Sequence, residues 1–437
     1  MKLRVLVLSE LFWPDGGGAE LATYLITDML RKVFDVTVVT GSRKPALLPN
    51  VRYVFEPLLS RREKFVLWLN TLRLIKTGRF EKLLRETDIL YVPRLAFPAI
   101  PHAKKMDKEV IVHLHDYIPV SYSAAVLAPY EEHKHRITRD DIALECGKGV
   151  KYCVGAGLLW WLPKLARRWV AQADRVVCVS RRQAEIVSSL VPELGSKVEV
   201  VYNPPPPKLL SRNVSKDLDD TPTLLYVGGD RYVKGFHILL QALEELGRRR
   251  VRARFILTGS YSYGSLKKLK TLGRKYENLK IGVLGRSSYE EVLNLHRHAW
   301  ASIFPSILEE PLPYAVVEAM LAGTIPIASK VGGITEIVEG TPAEEYMFTV
   351  GNPEELAERI ERVSSLSRSQ LIEDCYELRE ITLKRFNEDY IRQSLLNILG
   401  ECNSYNGYHV VDFSLKLSIS SKRETVLRHE HTFKFKV

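Results

Sequence analysis

Short apolar runs of strand length alternate with longer helix-patterned stretches from residue 2 to about residue 400. That alternation narrows the folds open to this chain more than any other feature. Strands joined by helical crossovers lie parallel, because a tight turn cannot bring the chain back in the same direction. The strand-like runs fall at 2–9, 36–40, 51–55, 88–92, 110–114, 173–180 and 198–204. Asn203 and the run Pro204 to Pro207 then form a stiff linker, and a second series follows at 224–230, 254–259, 279–284, 299–304 and 324–329. The expected architecture is α/β, with two Rossmann-like parallel-sheet domains at 1–205 and 206–385. A helical stretch at 386–400 stops at Gly400. The tail 401–437 fits neither pattern, although 413–418 alternates like a strand.

The richest stretch runs from Phe304 to Ile337, FPSILEEPLPYAVVEAMLAGTIPIASKVGGITEI. It reads as strand end, proline-punctuated loop, helix over 315–321, short apolar strand, glycine turn and helix. Pro311 and Pro313 suit the first turn of a helix, where a missing N–H costs nothing. Glu310 stands at the loop–helix junction and Glu318 eight residues on, nearly on the same helix face. Two aligned carboxylates at a helix start suit a ligand rich in hydroxyl groups, and the helix N-terminus itself suits phosphate.

This pattern, with Ala319, Gly323, Pro326 and the Gly332-Gly333-Ile334-Thr335-Glu336-Ile337 turn, resembles the signature of family-4 retaining glycosyltransferases of the GT-B fold. The resemblance covers roughly residues 1–400. It implies two Rossmann-like domains facing across a cleft, with the nucleotide-sugar held by the second and the acceptor on the side of the first. It also implies that Glu310 contacts the donor sugar and Glu318 the nucleotide ribose. The 386–400 helix would cross back to the first domain.

Other segments fit the same expectation. After the first strand, ELFWPDGGGAE leads into a helix, and three successive glycines let backbone approach a ligand at a helix start. The spacing is not G-x-G-x-x-G, so a dinucleotide fingerprint is absent. Gly17 and Gly18 resemble the family's amino-terminal glycine loop. His115 and Asp116 follow the strand at 110–114, at the carboxyl edge where open α/β sheets bind ligands, and are candidates for touching the sugar or acceptor. In the second domain Tyr226-Val227-Gly228-Gly229-Asp230 turns into Arg231 and Lys234-Gly235. Cations beside a glycine turn neutralise a departing diphosphate. The lysine matches the family pattern. Gly229 stands where the family usually has arginine, so Arg231 is its candidate substitute. The expected catalytic set is Glu310, His115, Asp116 and Lys234, and the expected donor-binding set is Gly17, Gly18, Gly229, Arg231, Lys234, Leu312 and Glu318.

No metal or cofactor is expected. Asp217-Leu218-Asp219 has the D-x-D form of metal-dependent transferases, but no strand precedes it. The five cysteines include no C-x-x-C, and a disulfide is not expected; Cys146 and Cys153 near His133 and His135 lack zinc spacing and read as buried thiols with surface histidines. A composition of 46% hydrophobic and 26% charged residues is that of a globular chain. No apolar run reaches the roughly 18 residues that span a bilayer, and the amino terminus enters a strand without a signal-peptide pattern, so a cytoplasmic place is expected.

The net charge of +11 favours acidic partners. A helix patterned over 58–84 is basic and carries Phe65, Val66, Trp68 and Leu69, which suits an anionic membrane surface as well as an ordinary packed helix. Residues 121–151 read as an irregular polar insertion suited to acceptor recognition, and 158–171 as an aromatic helix. No nucleic-acid motif is present. The expected partners are a nucleotide-sugar donor and a hydroxyl acceptor. An epimerase or phosphorylase on the same fold, or a basic non-enzymatic protein binding nucleic acid or membrane, are the alternative readings.

Overall fold

A computed structural model describes residues 2–131, 137–210 and 216–400. Among these residues two parallel sheets form. The first contains β1 (Arg4–Ser9), β2 (Asp35–Thr40), β3 (Val51–Phe55), β4 (Ile89–Val92), β5 (Glu109–Leu114), β6 (Arg175–Cys178) and β7 (Val198–Val200), in the order β3-β2-β1-β4-β5-β6-β7. The second contains β8 (Thr223–Val227), β9 (Ala253–Thr258), β10 (Leu279–Gly285), β11 (Ala301–Phe304) and β12 (Ile325–Ala328), in the order β10-β9-β8-β11-β12. Every pair is parallel. Central strands are apolar throughout, as a sheet covered on both faces requires: β4 is buried at all four residues.

Strand order reverses between β1 and β4 in the first sheet and between β8 and β11 in the second. The crevice beyond such a reversal is where open α/β sheets take ligands. Gly17 follows β1, Lys234 follows β8 and Glu310 follows β11, so the topology alone carries these residues to the two crevices.

The hydrophobic core divides by sheet face. Leu6, Leu90 and Val112 pack on one face of the first sheet, and Val5, Val7 and Ile111 on the other. The helix Glu388–Ile398 places Ile391 and Leu395, with Leu399, in that second cluster, so the end of the described chain rests on the first domain. One cluster around Phe255, Ile303, Met320 and Leu378 fills the second domain.

Several expected elements differ. The 58–84 pattern is not one helix: it breaks into Lys64–Leu74 and Gly78–Arg85, because Thr77 accepts from the N–H of Phe80 and caps a new start. The first piece buries Leu67, Trp68 and Leu74, leaving Phe65, Val66 and Leu69 exposed. The aromatic helix begins earlier than its pattern suggests and is interrupted, running Val150–Leu159 and then Leu162–Val170 with Pro163 in the new first turn. The 121–151 insertion holds a helix, Ile137–Cys146. Cys146 and Cys153 are joined as a disulfide, which overturns the reading of free thiols or metal ligands there; their seven-residue separation brackets the turn between two helices. His133, His135 and the strand-like 413–418 lie outside the described residues.

The two domains interlock near β6 and β12. Glu336, on the helix Gly332–Val338, accepts from the backbone N–H of Arg181 at 3.0 Å and Arg182 at 2.7 Å, and from Tyr202 Oη at 2.9 Å. A carboxylate of the second domain therefore caps the first-domain helix Arg181–Leu190, satisfying N–H groups that have no partner inside that helix. Replacing Glu336 with Ala is expected to cost about 2 kcal/mol. Replacing Glu199, whose pair with Arg175 is solvent-exposed, should cost less than about 0.5 kcal/mol. Thermal melts of both variants check the contrast, and equal melting temperatures would contradict it.

Candidate functional site

Lys234 and Glu310 are the centre of the site. Lys234 Nζ donates to Glu310 Oε1 at 2.5 Å, and Ser306 Oγ donates to the same oxygen at 2.8 Å. The two residues come from different crossovers, and local backbone brings them together. Gly235, at φ +73°, ends the turn after β8, and a Cβ there would lie 1.7 Å from the Pro305 carbonyl oxygen. Only glycine permits that approach, which lets Val233 accept from the N–H of Ile307 at 3.1 Å. Gly332, at φ +51°, has the backbone of Glu310 where a Cβ would be, with 2.2 Å to the carbonyl oxygen. Gly333 then donates to the Glu310 carbonyl at 2.8 Å. The loop carrying Glu310 is thus clamped between two glycine turns. Burial disfavours its charge, but the Lys234 charge and hydrogen bond, the Ser306 hydroxyl and the Arg231 charge together hold the carboxyl below its ordinary value.

Glu309, the neighbouring carboxylate, faces the other way. It accepts from the N–H groups of Tyr130 and Gly332, both at 2.7 Å, and from the Arg182 guanidinium at 3.3 Å. Its own N–H donates to Val126 at 2.8 Å, and Ala128 donates to Ile307 at 2.9 Å. The insertion therefore pairs along the loop that holds Glu310.

Glu318 lies on the helix Tyr314–Leu321, which has no side-chain cap at its start. Burial raises its pKa to about 7, with a hydrogen bond from Tyr289 offsetting part of the effect. Leu312 is in the second-domain core with 7% exposure, so its side chain packs rather than faces the crevice. Gly229, at φ +61°, lies against the Ser260 backbone, and Arg231 is exposed on the turn with its charge within reach of Glu310.

The first domain supplies the opposite wall. A Cβ on Gly18 would meet the Tyr314 ring at 3.1 Å, so the glycine loop touches the start of the helix that carries Glu318. Gly17 donates to Glu20 at 2.7 Å, and Glu20 pairs with Arg94 at 3.1 Å. Arg94 also pairs with Glu10 at 3.2 Å. Burial works against the Arg94 charge, yet Glu10, Glu20 and Asp116 hold the guanidinium above its ordinary value. The same burial raises Glu10 and Asp116. Asp116 accepts from the N–H of Ile118 at 3.0 Å. His115 stacks on His113 at 4.5 Å, and neither of its ring nitrogens has a hydrogen-bond partner. Burial, with the His113 and Arg94 fields added, pushes its pKa well below the ordinary value, so the ring is neutral. Tyr117, two residues on, feels the charges of Glu309 and Glu310.

The structure thus brings Glu310, Lys234 and Arg231 together on one wall. Gly17, Gly18, His115 and Asp116 stand on the other, linked through Arg94, and Tyr314 bridges the two. Sequence reasoning missed Arg94, Ser306, Glu309 and Tyr314. Arg94 follows an apolar strand at its carboxyl edge, the one signal that could have marked it. Asp219 pairs with Arg254 at 2.9 Å and accepts from Thr223 Oγ1, just before β8 and hence at the amino edge of the sheet, away from the crevice.

Glu318 has its folded pKa above the unfolded value. The folded state therefore holds that proton more tightly, and the stabilisation is complete below about pH 4.5 and lost as pH rises through about 7. The variant E318Q should melt higher than the unmodified chain at pH 8, by up to about 2 kcal/mol, and equally near pH 4.5. Differential scanning calorimetry at both pH values checks this, and a lower melting temperature for E318Q at pH 8 would count against it.

Residues 209–378 match the family Glycosyl transferases group 1, and residues 16–207 match Glycosyltransferase Family 4. An uncharacterized glycosyltransferase of Methanocaldococcus jannaschii is 28% identical over 210 residues, covering 44% of this chain and 52% of that protein. Spore coat protein SA of Bacillus subtilis is 26% identical over 243 residues, covering 51% of this chain and 64% of that protein. The matches therefore span about half to two thirds of these relatives' lengths. The crystal structure of Anabaena HepE in complex with UDP and glucose superposes with a TM-score of 0.62 at 19% identity, covering 91% of this chain and 100% of that one. Two facing parallel-sheet domains with this site and these matches identify the chain as a GT-B member of the family-4, group-1 glycosyltransferases.

Proposed function

We propose that the protein is a retaining, metal-independent glycosyltransferase that moves a sugar from a nucleoside-diphosphate donor to a hydroxyl acceptor. The observation that carries this reading is the Lys234–Glu310 pair at 2.5 Å, set beyond the strand reversal of the second sheet. In this reading Glu310 accepts hydrogen bonds from donor sugar hydroxyls, and Glu318 accepts from the ribose. Lys234, Arg231 and the uncapped start of the Tyr314–Leu321 helix neutralise the diphosphate as it leaves. A diphosphate oxygen would draw Lys234 from Glu310, since both anions compete for one ammonium group. His115, neutral and unbonded, is suited to hydrogen-bond a sugar or acceptor hydroxyl, and Asp116 and Arg94 fix the wall that presents it.

No side chain is assigned as nucleophile. Rate enhancement then comes from positioning and from charge placed where the leaving group develops. The structural relative solved with UDP and glucose makes uridine donors the first to test. The acceptor is a hydroxyl of a saccharide, a lipid-linked glycan or a small molecule. An anionic membrane surface belongs to the same reading as a second partner, resting on the cations of segment 58–84.

The test is nucleotide release from a panel of UDP-, GDP- and ADP-sugars, with and without EDTA, for the unmodified chain and for E310Q and K234A. One donor should be turned over slowly without acceptor and survive EDTA. Both variants should lose at least about a hundredfold in kcat, with the K234A loss including weaker donor binding. Release abolished by EDTA would overturn metal independence. Release of free nucleotide with water or phosphate as the preferred co-substrate would favour the epimerase or phosphorylase reading. No release and no nucleotide binding would sink the transferase reading.

A further inference from the structure

The Val150–Leu159 helix inverts the usual arrangement of a helix on a globular protein. It is almost wholly apolar, yet Ala156 is its one buried residue. Val150, Val154 and Leu158 are 81%, 56% and 69% exposed, and Trp161 just beyond is 38% exposed. At 3.6 residues per turn these positions fall within an arc of about 80°. Tyr152 and Trp160 are exposed as well, but on other sides of the helix, about 160° and about 120° from the middle of that arc. The Lys64–Leu74 helix, on which Phe65, Val66 and Leu69 are exposed, meets this helix at Tyr122. The Lys64 ammonium sits 5.0 Å from its ring centroid, and a Cβ on Gly155 would lie 3.8 Å from its hydroxyl.

Charge on this face is predominantly positive. From residue 146 to 173 the sequence holds no acidic residue but carries Lys148, Lys151, Lys164, Arg167 and Arg168. Lys151, Lys164 and Arg168 are exposed, and Lys164 stands 4.9 Å from the Trp160 ring centroid. Arg61 and Arg62 are exposed at the approach to the neighbouring helix, with Glu63 exposed beside them. An apolar stripe edged by tryptophans and flanked by long cationic side chains fits the boundary of an anionic bilayer. There the apolar face enters the acyl region, the indoles sit at the headgroups and the cations meet lipid phosphates.

We propose that the 150–161 segment is the docking surface of this protein for an anionic lipid bilayer, lying in the plane of the membrane. The docking element is fixed to the site. The Cys146–Cys153 disulfide holds it to the Ile137–Cys146 helix, and Asp141 on that helix accepts from Ser121 Oγ at 2.6 Å and Tyr122 N–H at 2.7 Å. Residues 126–128 then pair with the loop of Glu310. The inference rests on the membrane partner of the proposed function and gives it a different surface, and its test reads membrane binding rather than turnover, so it can fail while the transferase reading holds.

The test is co-sedimentation of the full chain with vesicles of phosphatidylcholine alone or with about one quarter phosphatidylglycerol. The chain should bind the anionic vesicles, and at least about tenfold more weakly the neutral ones or the anionic ones in about 0.5 M sodium chloride. The double variant V154E/L158E should lose at least about tenfold in vesicle affinity while keeping its circular dichroism melt. V154S/L158S, which adds no charge, should lose less but in the same direction. Failure of the unmodified chain to sediment with anionic vesicles would overturn the proposal, and so would unchanged binding by both variants. A dimer that V154E/L158E dissociates, with no vesicle binding, would assign the face to a second copy of the chain and overturn it equally.

Discussion

The site depends on a cation and an anion held 2.5 Å apart at a half-buried position. Each partner offsets part of the other's loss of water, so the pair favours both charges there. The pairing requires two loops from different crossovers to approach more closely than side chains allow. Gly235 and Gly332 remove the obstructing Cβ atoms, so the backbone of 305–310 is gripped from both sides. A nucleoside diphosphate would meet an ammonium already aimed and desolvated, with little reorganisation left to do.

The first domain answers with a different device. Arg94 gathers Glu10, Glu20 and the field of Asp116 into one buried network, and through Glu20 it holds the backbone of Gly17. Buried networks of this kind are costly if half satisfied and rigid if complete. The outcome is a glycine loop that is permissive in sequence but fixed in place, touching Tyr314 across the crevice. His115 stands on the same wall with both its ring nitrogens unsatisfied, and the Tyr117 hydroxyl two residues on also lacks a hydrogen-bond partner.

Much of this was legible in the sequence, for a physical reason. Parallel sheets buried on both faces write long apolar runs, and the expected strands fall on the observed ones in both halves. The glycine and proline punctuation around Glu310 marked that residue, and Lys234 could be placed from its glycine turn. What could not be read were partners distant in sequence. Arg94 is 84 residues from Glu10, and Glu309 is 179 residues from Tyr130. Leu312, expected in the donor-binding set, has its side chain packed in the second-domain core, a placement the sequence pattern does not reveal. The 58–84 stretch was read as one helix because Thr77 and Gly78 are a weak break beside so regular a pattern, and local capping won. The Cys146–Cys153 bond is not expected on grounds of compartment, which say nothing about two thiols brought together across the turn between two helices.

The carboxylates that cross between domains have a consequence for cutting the chain. Glu336 closes the start of a helix in the first domain, and Glu309 serves Tyr130 and Arg182 there. Severed at the proline run, the second fragment would leave Glu336 without its donors and Glu309 with only the Gly332 N–H, and the first would carry a helix whose first N–H groups are bare. Neither fragment would be a faithful miniature of its half. Mixed together, the two would recover their lost partners only by finding each other, which makes the molecule a natural scaffold for fragment complementation.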